Sequence, residues 1–448
     1  MIAERFTGMR IFLIMWAGQT FSRFGTIMTT FALFNLWVWE RTGQATALAL
    51  VNVIGIMGAI LASLVGGVLV DRFSRKVVMI LGDGIAGLGT VVYLILYTSG
   101  QLEVWHLYAG AVVVNFFNQI HTLAYSAAVT MMVPKTQYAR AGSFRFLTHY
   151  GAVIFAPPLA AVLYTTLGLE AIMIIDILTV SAAVLTVMLI HIPQPPETEA
   201  GRNSRKNRWT QTIYGFKYIS RSSSLRTMMI VILLFTFVHD ISGVLRAPMV
   251  LSRTNNNFGT LAVISAAAGI GGLIGAIYMS WRGGPKRRIN GWLWGNLGAG
   301  VAKMVHGLGR GVTIWVPTQV ASSINFPIRG GSLDAIWMSK IEPDIQGRFF
   351  AASEIMILMV SAIGQLTGSW VTDQWVEPAM HTGGALAGSL GWLFGTGGGA
   401  GFSLVYFTMA VCMTLISITI FWVKGVRDIE DLVVDYAENP EIGAVVAV

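Results

Sequence analysis

Ionisable side chains interrupt long apolar stretches of this chain, where a charge is costly unless it reaches water, a partner or a protein interior. They are Arg23, Asp83, Arg145, Asp176, Asp240, Arg246, Lys303, Arg329, Asp334 and Glu354. Asp240, in His239-Asp240-Ile241-Ser242, could exchange a proton in a dry cavity. It could equally stay ionised beside Arg246 or Arg23, as an ion pair holding two parts of the molecule together. His239 suits a packed or hydrogen-bonding role better than that of principal proton carrier. Arg145 and Glu354 stand 209 residues apart at matching depth in their stretches. Glu354 could meet the segment bearing Arg72 and Arg75 and form part of a gate, or act as an embedded proton site. Asp83 and Asp334 lie nearer the ends of their stretches and read as structural pairs at a rim.

A second set of residues suits binding. The stretch 104–132 carries Asn115, Asn118, Gln119 and His121, and 311–339 carries Gln319, Asn325 and Arg329. With Trp16, Gln19, Arg23, Phe116, His239 and Phe326, these would line a broad pocket for a hydrophobic or amphipathic small molecule. A plainer reading stands beside it: polar groups also join helices inside membranes, and aromatic residues gather at lipid interfaces. No nucleophilic constellation accompanies these residues, so no covalent reaction is expected and the chain does not read as an enzyme. Gly397-Gly398-Gly399 lacks the Lys-Ser/Thr ending and strand context of a phosphate-binding loop. Cys412 is the single cysteine, which excludes an internal disulfide and a thiolate metal cluster. No cofactor is expected, and ATP-driven pumping would need another polypeptide.

The elements that position these residues are apolar segments at approximately 10–39, 44–70, 77–98, 104–132, 139–166, 169–191, 226–252, 258–281, 289–309, 311–339, 347–375 and 400–423. A helix rises about 1.5 Å per residue, so roughly 20 residues cross a hydrocarbon core. The pattern predicts an all-α integral membrane protein of twelve transmembrane helices, with Met9–Trp39 retained as the first. Only 12% of residues are charged, and their placement is one-sided. With the N-terminus inside, cytoplasmic segments hold 22 of the 30 Lys and Arg, and the opposite side holds Arg41, Arg253 and Arg310. This bias predicts that both termini are cytoplasmic. Dispersed basic residues argue against nucleic acid and for contact with membrane phospholipids.

The clearest break is 192–225. Pro193, Pro195 and Pro196 end span 6, a polar run follows, and Trp209, Ile213, Phe216, Tyr218 and Ile219 then give an amphipathic segment. It fits a helix on the membrane surface or a linker packed on the bundle. The expected organisation is a six-helix bundle over 1–191, the linker 192–225, a second six-helix bundle over 226–423, and a cytoplasmic tail over 424–448. An extracytoplasmic insertion, 376–399, carries eight glycines. Echoes join the halves: Pro134, Gln137 and Arg140 precede span 5 as Pro343, Gln346 and Arg348 precede span 11, and Gly67 matches Gly275, at offsets of 208 or 209. A common offset supports an internal repeat.

The most specific local pattern is Gly66-Gly67-Val68-Leu69-Val70-Asp71-Arg72-Phe73-Ser74-Arg75-Lys76. It resembles the loop signature of the major facilitator superfamily, through Gly67, Leu69, Asp71, Arg72, Arg75 and Lys76, with Ser74 in place of a glycine. The opening Trp16-Ala17-Gly18-Gln19-Thr20-Phe21-Ser22-Arg23-Phe24-Gly25, the pair Thr42-Gly43, Asp83, and the Pro134 and Pro343 patterns resemble the bacterial macrolide-efflux and enterobactin-exporter branch. The corresponding second-half loop, Tyr278-Met279-Ser280-Trp281-Arg282, has no aspartate matching Asp71.

The resemblance implies a proton-coupled antiporter of the bacterial inner membrane, exporting drugs or siderophores by rocking its halves about a central site, and a monomer is the expected working unit. It makes Asp71, Arg72, Arg75 and Arg145 gating candidates, and Asp240 and Glu354 coupling candidates. A lipid or lysophospholipid transporter is the first alternative. A non-transporting membrane sensor or scaffold is the second.

Overall fold

Long runs of Leu, Ile, Val, Ala and Met with few breakers fold as helices, because hydrocarbon offers no partner to an open backbone N–H or C=O. The computed structural model describes residues 9–133, 138–192, 208–282, 284–341 and 343–432. The side chains of Asp71, Arg72, Arg140 and Arg145 lie outside the described set, as do Pro134, Gln137 and the proline run from Pro193.

The first rod, α1 (Met9–Thr30), continues through a π-helical segment, Phe31–Trp37, and a last α turn, Val38–Thr42, which Gly43 ends at φ 62°. There follow α2 (Ala45–Arg72), α3 (Arg75–Thr98), α4 (Val104–Met132), α5 (Tyr138–Thr166) and α6 (Gly168–Leu189). The amphipathic segment is α7 (Arg208–Arg221). The second set comprises α8 (Ser223–Arg253), α9 (Phe258–Arg282), α10 (Arg288–Leu308), α11 (Val312–Lys340), α12 (Pro343–Val371, extended by π and α turns to Met380), α13 (Ala387–Phe394) and α14 (Ala400–Ile420). Short turns at Lys424–Arg427 and Ile429–Leu432 form α15 and α16.

Eight of the described helical stretches are long and apolar enough to cross a membrane, by length and composition. The long rods that miss that threshold are α1, α4, α10 and α11, which carry most of the polar residues singled out above.

The chain divides into two compact units, Met1–Arg205 with Asn256–Ala266, and Lys206–Asn255 with Ala267–Val448. The first is cored by Phe12, Met15, Met79, Ile120 and Val187. The second is cored by Met228, Trp292, Leu293, Trp337 and Phe349. Lipid gives no hydrophobic force for joining helices, so close backbone approach matters. A Cβ at Gly58 of α2 would collide with the Val112 carbonyl of α4. In the second unit, Cβ atoms at Gly271 and Gly275 of α9 would collide with the Val320 and Ile324 carbonyls of α11. The same seam recurs in each unit. Leu88, Phe155, Leu178 and Ile277 face outward and exposed, as a lipid-facing surface requires.

The linker helix α7 packs on its own unit. Ile219 is buried in the second core, and a Cβ at Gly215 would strike the Arg348 carbonyl of α12. The loop after α2 is tied down by Lys76, whose Nζ donates to the carbonyls of Met188 and Ile190 at 2.7 and 2.8 Å. A cation on the last carbonyls of α6 satisfies acceptors that have no intrahelical partner.

The glycine-rich insertion is similarly anchored. Arg253 donates to the carbonyls of Gly309, Phe394 and Gly399, and Glu377 accepts from the amides of Gly399 and Phe402 at 2.6 and 3.0 Å. Glu377 thereby caps the N-terminus of α14, where free amides favour an anion. Gly399 stands at φ 84°, a backbone conformation that suits glycine at this turn. At the other end of the unit, Glu430 of α16 accepts from the amides of Arg288 and Ile289, capping α10.

Candidate functional site

A cavity of about 400 Å³ opens within the first unit. Its wall follows from helical periodicity. Trp16, Gln19, Thr20, Arg23 and Thr26 recur at three- and four-residue steps along one face of α1, as do Val114, Asn118, His121, Thr122 and Tyr125 along α4. Gly82, Asp83 and Ala86 of α3 and Thr148 and His149 of α5 close it.

Asp83 is the centre of its polar network. Gln19 Nε2 donates to Asp83 Oδ2 at 2.7 Å, and His121 Nε2 lies 3.4 Å from Oδ1. Gly82 makes room for this arrangement, since a Cβ there would press on His121 Cβ at 2.7 Å. The expected rim pairing of Asp83 is therefore a pairing on the cavity wall. The seam between α1 and α5 is pinned by Trp16 Nε1 donating to the Phe144 carbonyl at 3.0 Å and by the Thr20 and Thr148 hydroxyls at 2.8 Å. Arg23 is exposed on the wall, near His149, and makes no hydrogen bond or ion pair among the described residues. Asp176 lies deeper, only 2% exposed, and accepts from Thr26 and Thr90 at 3.2 and 2.9 Å. It acts as a buried knot joining α1, α3 and α6.

Trp16, Gln19 and Arg23 thus share the cavity. Asn115, Phe116 and Gln119 do not. Asn115 donates to the Ala111 carbonyl and packs on Gly55, Gln119 reaches Ser63 of α2, and Phe116 packs against the core. On α4, positions 115 and 119 point toward α2, about 100° round the helix from 114 and 118. Asn118 and His121, four and seven residues from Val114, take the cavity face.

The second unit gathers a different set. His239 Nδ1 lies 2.7 Å from Asp240 Oδ1. Lys303 of α10 and Arg329 of α11 lie within electrostatic reach of Asp240. Lys303, 6% exposed, donates to Ser242 Oγ at 2.8 Å and faces the Tyr406 ring at 5.8 Å. Arg329 stacks over Phe235 and Phe326 at 4.9 and 5.0 Å, and Phe326 meets the His239 ring at 5.1 Å. Arg246 is the neighbour of Lys303, His306 and Tyr406. The Arg246 pairing expected for Asp240 is replaced by one with His239. Six residues along a helix is 600°, which turns Arg246 about 120° away from Asp240.

Arg329, Phe326 and His239 are therefore brought together with Asp240. Gln319 and Asn325 are not. Gln319 donates to Ser323 within α11, and Asn325 donates to the Ala321 carbonyl and lines a separate groove of about 660 Å³ with Trp294, Val301 and Pro317. Glu354 is exposed and has no hydrogen bond or ion pair among the described residues. Arg75 begins α3, at the end of the loop that Lys76 anchors. Sequence reasoning undervalued Lys303 and Tyr406. The available signal was that Lys303 is the one lysine within the spans, as any buried charge there needs a reason.

Among the described residues, no group of His, Cys, Asp and Glu has the makings of a metal site. What the two interiors offer is recognition: hydrogen-bonding groups, charges and aromatic faces, beside an open cavity in the first unit and in a packed cluster in the second.

Comparison with known proteins places this geometry. Residues 15–364 match the family model described as Major Facilitator Superfamily. A macrolide efflux protein A from Streptococcus pyogenes is 25% identical over 366 residues, covering 81% of this chain and 89% of that protein. Its namesake from Enterococcus faecalis is 25% identical over 301 residues, covering 66% and 92%. Among solved structures, a POT family transporter in complex with 5-aminolevulinic acid superposes with a TM-score of 0.68 at 11% identity, over 93% of this chain and 96% of that one. That likeness is one of fold.

Proposed function

The chain belongs to the Major Facilitator Superfamily, a multi-pass membrane transporter, and from that premise we propose that it exports hydrophobic or amphipathic small molecules by proton-coupled antiport. The observation that carries export is the similarity to macrolide efflux proteins over most of both chains. The cavity on α1, α3, α4 and α5 supports it, because aromatic, hydroxyl and amide groups on one wall suit amphipathic ligands.

In this reading the twelve rods cross the bacterial inner membrane with both termini in the cytoplasm, as a monomer, and the halves alternate about a central site. Trp16, Gln19, Arg23, Phe326 and Arg329 contact substrate. Asp240 is the coupling acid: protonation would release His239 and leave Lys303 and Arg329 without their counter-charge, biasing a two-state motion. Asp71, with Arg72, governs alternation from the loop after α2. Substrate export from cells lacking other exporters, scored over a panel of amphipathic compounds, tests the reading. Export of members of the panel that collapses with the proton gradient is the expected result. Export that persists after the gradient is dissipated removes the antiport mechanism.

A lipid-transport reading has one observation in its favour. The groove on α10 and α11 is lined by Trp294, Val301 and Val305, all exposed on the apolar surface that lipid would contact. Gradient-independent movement of labelled lipid in vesicles, without export of any panel compound, would favour it.

A further inference from the structure

Charge within the second unit is lopsided. Lys303 lies in electrostatic reach of Arg246, Arg329 and Asp240. Asp240 is the acid of that set, and His239 already holds it at 2.7 Å. Three basic side chains therefore share one carboxylate in a setting where unpaired charge is costly.

Their donors are also unspent. Lys303 donates one bond, to Ser242. Arg246 and Arg329 donate none among the described residues, and Arg246 Nε is buried without a partner. The rings of Phe235 and Phe326 lie 4.9 and 5.0 Å from the Arg329 guanidinium. A ring face attracts a cation but leaves the edge of the guanidinium fork, with its N–H groups, available. Excess positive charge and orphaned donors are separate observations, and both ask for an acceptor carrying negative charge.

We propose that this cluster is an anion subsite, which takes the carboxylate, sulfonate or phosphate of an amphipathic organic substrate. Arg329 supplies the planar fork and its charge, Arg246 adds a second guanidinium, Lys303 adds N–H donors, and Phe326 receives the adjoining apolar body. The assignment rests on the transporter reading and narrows its substrate class from amphipathic molecules in general to those with an acidic group. Asp240 makes the subsite selective as well as attractive, since it sets a local negative charge against which a badly placed anion is repelled.

Two fluorescent probes of matched shape test it on the purified full chain: 8-anilinonaphthalene-1-sulfonate, and N-phenyl-1-naphthylamine, which lacks the sulfonate. Wild type should bind the sulfonate at least about ten-fold more tightly. R329Q should remove that preference, the sulfonate probe losing at least about ten-fold more affinity than the neutral one, while R329K, which keeps the charge and loses the fork, should fall between. Equal affinities in wild type, or equal loss of both probes in R329Q, overturns the subsite. Competition on wild type keeps the question open to measurement if R329Q does not fold. Dodecanoate should displace the sulfonate probe and dodecyltrimethylammonium at equal concentration should not; equal displacement overturns the proposal.

Phosphatidylglycerol in mixed micelles with a neutral detergent separates the two sources of such an anion. Displacement by phosphatidylglycerol but not by dodecanoate assigns the subsite to a lipid headgroup, and the converse to a free organic anion. In phosphatidylcholine proteoliposomes, export of the neutral probe with no anion preference would keep the transporter reading and remove the subsite. Selective anion binding with no flux of either probe would do the reverse.

Discussion

The interior of the first unit is organised around an acid and that of the second around bases. On the cavity wall of the first, Asp83 is held by the Gln19 amide and the His121 ring, while Arg23 stands apart on the wall. In the second, Arg246, Lys303 and Arg329 surround a neighbourhood whose acid, Asp240, is tied to His239. Yet both units share the glycine seam between their second and fourth rods, at Gly58 and at Gly271 and Gly275. Each unit uses glycines at this seam, although Gly58 and Gly271 are not related by the 208- or 209-residue offset, while the residues lining the two interiors differ in kind. The reason is physical. A seam residue is constrained by a carbonyl close enough to forbid any side chain, whereas a pocket residue answers to what the pocket must hold.

The largest test of that contrast compares the two acids. Asp240→Asn is isosteric, leaves three bases without a counter-charge and removes the coupling group, so gradient-driven efflux should fall by about 100-fold, with binding of a neutral probe retained. Asp83→Asn keeps an acceptor for Gln19 and should lower driven efflux only a few-fold, on the order of weakening one charge-assisted hydrogen bond to a neutral one, about 1 kcal/mol or less. Vesicles with an imposed proton gradient measure both. Equal losses in the two variants would dissolve the distinction between the units, and undiminished uphill transport by Asp240→Asn would reject it as the coupling acid.

Smaller effects are expected where each unit fastens its helix ends. Glu377 places one carboxylate on two amides at the start of α14, so Glu377→Gln should cost about 1–2 kcal/mol of stability. Lys76 places one ammonium on two carbonyls at the end of α6, in a more solvated position, and Lys76→Met should cost about 1 kcal/mol or less. Thermal unfolding of the purified variants would rank them. A larger loss at Lys76 would mean that the signature loop carries more stability than its hydrogen bonds account for.

Much of this was legible in the residues. Period and length announced the rods, and the pattern from Gly67 to Lys76 identified the superfamily later matched over residues 15–364. Composition also separated the rods: α1, α4, α10 and α11 are less apolar than the other long helices, with Arg23, His121, Lys303 and Arg329 among their polar residues. Facing was harder to read. Asn115 and Asn118 are three residues apart and equally polar, but one donates into its own helix beside α2 and the other lines the cavity. Only the rotation of α4 against its neighbours decides that. Pairing was harder still, since Asp240 meets the residue beside it, His239, while the expected Arg246 turns toward Tyr406. Electrostatic partners across helices depend on side-chain directions that no spacing rule encodes.

The smallest expected effect concerns a contact that the first unit has no described counterpart for, the turn after α14. Arg427 hydrogen-bonds Asp428 there at 2.7 and 2.9 Å, Arg287 reaches it at 3.2 Å, and together they hold the Asp428 carboxyl below the usual carboxylate range. A group whose folded pKa is depressed contributes stability that is present above its unfolded pKa, and that contribution is lost as pH falls through the folded value. The turn should therefore be insensitive to pH from neutrality down to about 4, near the ordinary aspartate value, and loosen only below it. Both partners are partly exposed to solvent, so the effect is local and screened by salt. Amide hydrogen exchange over Lys424–Leu432, normalised for its intrinsic pH dependence, would show protection falling below about pH 4. In Asp428→Asn, where no charge is left to titrate, protection should already be lower at pH 7 and change less on acidification. A wild-type profile that declines steadily from pH 7 would assign the turn's stability to other groups, with Glu430 on the α10 amides the first to examine.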